Sequence, residues 1–142
     1  MGRVNAYKAL LELNSEPQKP AVPEGTTKGK VGENYDYTAS TVDEDGDQIY
    51  YLFDWGDGNN SGWLGPYDSN QLCTASHNWT KKGNYEIKVK AKDIFGLESN
   101  WSDSLPIKMP YSYTKPQLHL LYWLFERFPN AFPILRQFMG YQ

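Results

Sequence analysis

Ile49-Tyr50-Tyr51-Leu52-Phe53-Asp54-Trp55-Gly56-Asp57-Gly58 is the stretch that decides the fold of this chain. Successive side chains of a strand point to opposite faces, so Ile49, Tyr51, Phe53 and Trp55 share one side, and Tyr50, Leu52 and Asp54 the other. The Gly-Asp-Gly that follows ends the strand in a tight reversal.

Working outward, the same alternation recurs on both sides. Upstream, Tyr35, Tyr37 and Ala39 alternate with Asp36, Thr38 and Ser40. The run Asp43-Glu44-Asp45-Gly46-Asp47 then turns the chain, which predicts a hairpin between residues 34–41 and the deciding strand. Downstream, Trp63-Leu64-Gly65-Pro66-Tyr67 is too broken by Gly and Pro for a central strand and reads as an edge strand or loop. Ala75, His77 and Trp79 alternate with Ser76 and Asn78, and Lys81-Lys82-Gly83-Asn84 supplies the next reversal. Tyr85, Ile87, Val89 and Ala91 then face one way, against Glu86, Lys88, Lys90 and Lys92. Leu105, Ile107 and Met109 close the series. The expectation is an all-β antiparallel sandwich of about seven strands over residues 20–110.

The flanks read differently. Ala6, Leu10 and Leu13 give residues 1–19 a weak helical period that Asn14 and Pro17 stop, and Pro17, Pro20 and Pro23 make an extended arm. Residues 111–142 carry crowded apolar side chains on either side of Pro129, a helix, a break and a second short helix. Leu121, Trp123, Leu124, Phe128, Phe132 and Leu135 are the contact-forming candidates of this tail. It holds more apolar surface than two short helices can hide, and the predicted use is an intermolecular contact, self-association or docking to an envelope component.

Composition excludes some functions. The 142 residues carry a net charge of -3, which offers no broad basic field to a phosphate backbone, so nucleic acid is not an expected partner. No run reaches the roughly 18 apolar residues of a transmembrane helix, and the first residues lack the apolar core of a signal peptide. The chain is then cytoplasmic or part of a longer, processed protein. Cys73 is the single cysteine, so no intramolecular disulfide forms. Aromatics are 15% of residues, with 11 Tyr and 5 Trp, enough to build the core from rings and leave some for a surface.

Two motifs now carry a resemblance. Phe53-Asp54-Trp55-Gly56-Asp57-Gly58 resembles the aromatic-Asp-aromatic-Gly-Asp-Gly hairpin of the PKD domain, with the ring types transposed. His77-Asn78-Trp79, Gly83-Asn84 and the strand from Tyr85 to Asp93 resemble that family's second hallmark. The resemblance implies an immunoglobulin-like sandwich found in cell-surface and secreted proteins, acting as a non-catalytic adhesion or structural module at the extracellular face or cell envelope. Its alternative is an accessory domain that binds polysaccharide or fibrous protein for a secreted hydrolase. The acidic run and the Phe128-Pro129-Asn130 ending are also similar to archaeal envelope proteins of this family.

The candidate sites follow from residue chemistry. Asp54 and Asp57 are close enough for an acid and base pair, but without a nucleophile or oxyanion motif they read as turn formers capping backbone amides, so no catalytic residue is assigned. His77 reads as a hydrogen-bonded strand-edge residue. Asp43, Asp45 and Asp47 place three carboxylates at spacing two, the hard-oxygen set of Ca²⁺, although Gly46 stands where an EF-hand loop would not have it; the other reading is a solvated acidic turn. Trp63, Tyr67 and Trp101 are rings available as a glycan platform, or rings that fold back over the sandwich. Asn59, Asn78 and Asn100 head N-glycosylation triplets.

Overall fold

The computed structural model describes residues 6–110, 123–124 and 126–128. Contacts divide the chain into two compact units, Met1–Tyr111 and Ser112–Gln142. In the first, α1 (Ala6–Leu13) precedes β1 (Glu24–Gly25), β2 (Asn34–Ala39), β3 (Ile49–Asp54), β4 (Leu64–Tyr67), β5 (Cys73–Asn78), β6 (Gly83–Asp93) and β7 (Leu105–Met109). The strands form two antiparallel sheets, ordered β1-β2-β5 and β4-β3-β6-β7. This is the all-β, seven-stranded immunoglobulin-like sandwich expected from the alternation.

The deciding stretch is the inner strand of the larger sheet. Ile49, Tyr51 and Phe53 are fully buried, while Tyr50, Leu52 and Asp54 are half-buried on the outer face. β6 repeats the pattern and is shared: residues 83–87 pair with β7 and residues 88–93 with β3. Beyond its pairing with β7, β6 is flanked by residues 98–102, where Ser99 and Ser102 amides donate to Ala91 and Val89 carbonyls and the two hydroxyls accept from the Ala91 and Val89 amides. β4, interrupted by Gly65 and Pro66, is the edge strand, with a register shift between its pairs to Ile49 and Tyr51.

The predicted hairpin between residues 34–41 and β3 does not form. β2 pairs with β1 and β5, and lies in the sheet opposite β3. Alternation specifies which side chains turn inward, but Tyr37 and Tyr51 both do so, one from each side of the same core. Residues 40–48 therefore arch over one end of the sandwich. The reversal at Lys81–Asn84 likewise crosses from β5 to the other sheet.

Rings fill the centre. Trp55, Trp79, Tyr37, Tyr51 and Phe53 are its largest buried side chains. Phe53 stacks on Trp55 at 5.4 Å, and Trp79 meets Tyr37 and Trp55 edge-on. Each ring buries roughly 150 to 250 Å², about 4 to 6 kcal/mol of transfer free energy before the entropy of fixing it is subtracted. In the second unit, the Phe128 amide donates to the Leu124 carbonyl and Arg127 lies over the Trp123 ring. Trp123 and Phe128 are exposed; Leu121, Phe132 and Leu135 lie outside the described residues.

Candidate functional site

The arch of residues 40–48 gathers the acidic run at the end of the sandwich where the arm arrives. Asp43 is 2% exposed, Asp47 half-buried and Asp45 exposed, and one carboxylate oxygen from each lies within 4.8 Å of the others. Asp43 Oδ1 accepts from the Asp45 amide at 2.9 Å and from the Asp47 amide at 3.4 Å, whereas its buried Oδ2 has no hydrogen-bond partner among the described residues. Leaving a buried carboxylate oxygen unmet costs on the order of 1 to 3 kcal/mol. Calcium binds oxygens at about 2.3 to 2.6 Å, so ligands across the ion stand up to roughly 5 Å apart, and the three aspartates fit that span.

Two further groups converge here that the spacing of the run did not reveal. Asp93, at the end of β6 and 1% exposed, accepts from the Asn14 side-chain amide through Oδ2. Its Oδ1 accepts from the Phe95 and Leu97 amides at 2.8 and 2.9 Å. Asp45 Oδ2 accepts from the Ser15 amide and hydroxyl at 2.7 and 2.6 Å, which holds its carboxyl below the usual range. Asp47 moves the other way: burial, then the charges of Asp43, Asp93 and Asp45, push it up. Residues 14–19 are thereby tied to the sandwich, Pro17 is buried, and the Gln18 amide donates to the Val42 carbonyl. An Asp closing a strand just before Ile-Phe-Gly-Leu was the sequence signal for Asp93; Asn14 and Ser15 left none.

The Asp54 and Asp57 carboxylates are occupied as turn formers. Asp54 Oδ1 accepts from the Gly56 amide at 3.0 Å and Asp57 Oδ1 from the Asn59 amide at 2.9 Å. Asp57 Oδ2 meets His77 Nε2 at 2.8 Å, and the imidazole stacks on Trp55 at 4.8 Å and 2°. Burial pushes the Asp57 carboxyl up, but the hydrogen bonds from His77 and Asn59 together outweigh it and hold it below the usual range. The pair clasps the hairpin tip of one sheet to β5 of the other.

Of the three rings, the fold brings together only two. Trp63 and Trp101 both flank Lys90, whose ammonium stands 5.5 and 5.1 Å from their centroids and pairs with Glu98. Lys92 lies 4.4 Å from Trp63 and 5.7 Å from Tyr50, so rings and ammonium groups alternate along the outer face. Tyr67 points to the inner side, edge-on to Tyr51 and beside Cys73, whose buried thiol is pushed up. Asn59, Asn78 and Asn100 are all exposed. Among the described residues no helix is long and apolar enough to cross a membrane.

A family model for the PKD domain matches residues 14–109. The fold is similar to a PKD domain of an M14-like peptidase from a Thermoplasmatales archaeon, with 44% sequence identity and a TM-score of 0.64 over 69% of this chain and 99% of that one. No curated protein matches the chain.

Proposed function

The chain belongs to the PKD domain family, and on that premise we propose that it is a non-catalytic adhesion or structural module of a cell-surface or secreted protein, with calcium held between Asp43, Asp45 and Asp47. The observation that carries the reading is the buried Asp43 Oδ2 without a hydrogen-bond partner among the described residues, on a carboxylate clustered with those of Asp45 and Asp47. A divalent cation would satisfy that oxygen and offset the repulsion of the cluster. The arm supports a structural role for it, because Ser15 is bound to Asp45, so a cation there stiffens the junction between residues 14–19 and the sandwich. A ligand held only by the native state adds RT ln(1 + [L]/Kd), about 2.7 kcal/mol at a hundredfold excess over Kd. Melting should therefore rise in calcium relative to chelator, and Asp43→Asn should abolish the rise. Equal melting of metal-free and calcium-loaded protein would remove the cation from the reading.

A second reading is favoured by one observation, the occurrence of the similar domain in a peptidase. In that case the chain presents polysaccharide or fibrous protein to a hydrolase, and Trp63 and Trp101 are the rings placed to receive it. Pull-down on insoluble glycans and on collagen separates the two: selective retention lost in Trp101→Ala supports substrate presentation, and retention by none supports the adhesion module. For the tail we propose self-association through Trp123, Leu124 and Phe128, with Leu121, Phe132 and Leu135 as its remaining candidates.

A further inference from the structure

Exposed apolar side chains of the sandwich are not scattered. Within residues 14–110 seven large ones are exposed: Val22, Val42, Leu72, Ile94, Phe95, Leu97 and Trp101. Five of these, 38% to 57% exposed, stand on the three loops that close one end: Val42 on residues 40–48, Leu72 on residues 68–72, and Ile94, Phe95 and Leu97 on residues 94–98. Strand pairings put the three loops together, since Ala39 opposes Cys73, and Ile49 opposes both Tyr67 and Asp93. Isolated exposed apolar residues need no explanation, but five on neighbouring loops at one end of the sandwich do.

The loops are held in shape. The Asp43 amide donates to Ser69 Oγ at 2.9 Å and the Asn70 amide to the Thr41 carbonyl at 2.9 Å, which ties the first loop to the second. Asp93 Oδ1 fixes the third by accepting from Phe95 and Leu97. Surfaces ordered before binding lose less entropy on association. Charge then selects the occupant. The same loops carry Asp43, Glu44, Asp45, Asp47, Asp68 and Glu98 and no Lys or Arg, a surplus of acid that persists with Glu98 paired to Lys90 and one divalent cation held by Asp43, Asp45 and Asp47. At the opposite end, the loops of residues 26–33, 55–62 and 79–82 carry Lys28, Lys30, Lys81 and Lys82 against the acids Glu33, which pairs with Lys30, and Asp57, which pairs with His77, and none of the large exposed apolar side chains. A second copy is thus a poor occupant: its own apolar end repels this one, and its basic end has no apolar surface to meet it. An anionic lipid surface is repelled likewise.

The geometry points to a docking surface at this end for a different protein, one that presents an apolar face rimmed by Lys or Arg, with Ile94 and Phe95 as the anchors. It rests on the reading of the chain as an interaction module and names the chemistry of that module's partner. The test uses the full chain in calcium-containing buffer, with fluorescence anisotropy of a labelled amphipathic helix built of Leu and Lys, the same helix with Glu for Lys, and vesicles of phosphatidylglycerol. Wild type should bind the Leu/Lys helix only. The double variant Ile94→Ser, Phe95→Ser, whose charge and melting should be unchanged, should bind it about tenfold more weakly or worse, as loss of anchor residues does. Leu72→Ser, the backup should the double variant melt early, should weaken it in the same direction. Equal binding by wild type and variants reduces the contact to charge alone and overturns the docking surface. So does no binding of the Leu/Lys helix, vesicle binding that depends on Ile94 and Phe95, or a dimer that depends on them. None of these results touches the calcium and collagen measurements that decide the broader reading.

Discussion

Trp55 is 1% exposed, wedged between Phe53, Tyr37 and Trp79, with the His77 ring stacked on its face. Trp55→Ala should cost about 3 to 5 kcal/mol, as other large aromatic truncations in cores do, and a melting curve of the variant measures it. Asp57 gives a prediction with a sign. Its native pKa is lowered by His77 and Asn59, so its stabilisation is complete above the unfolded carboxylate value of about 3.9 and is lost as pH falls through the lower native value. Asp57→Asn should melt below wild type at neutral pH, and the gap should narrow as both are taken through and below pH 4; a gap constant with pH would show that its ionisation contributes nothing. At this scale the inward rings and the capping aspartates were legible, because alternation and turn chemistry are local. The partnerless oxygen of Asp43 was not, since its burial depends on what distant parts of the fold place around it.

The hairpin tip shows how far one element constrains the next. Gly56 has φ +73°, and a Cβ there would come within 2.8 Å of the Glu86 backbone, whereas Gly58, at φ +92°, opens to empty space. Gly58→Ala should cost only the left-handed strain, roughly 1 to 2 kcal/mol. Gly56→Ala adds a backbone collision that no rotamer can relieve, so it should melt well below Gly58→Ala; equal melting temperatures would mean that the tip does not rest on β6. β2, β3, β5, β6 and β7 were readable from period-two patterns, β4 from its Gly and Pro only as an edge strand or loop, and the two-residue β1 lies where the prolines predicted an extended arm. The assignment of the strands to sheets was not readable. Residues 34–39 and 49–54 are adjacent in sequence and alternate alike, and only the length and buried polar groups of the arch, Thr41 and Asp43, distinguish a crossing from a hairpin.

At the scale of the whole molecule, the buried cluster among the described residues belongs to the sandwich. Its fourteen buried members run from Tyr37 to Met109. The sandwich is also polarised, acidic and apolar at one end and weakly basic at the other, a property that a net charge of -3 for the chain conceals. Among the described tail residues, Trp123 and Phe128 expose more than half of their surface. Apolar rings so exposed are normally covered by a partner, and like copies of the tail can cover one another without engaging the acidic end. Deleting residues 115–142 should leave the melting temperature of the sandwich unchanged and convert a self-associating species to a monomer in sedimentation velocity. If the truncated chain unfolds while the full chain sediments as a monomer, the tail completes the domain instead of joining one chain to another.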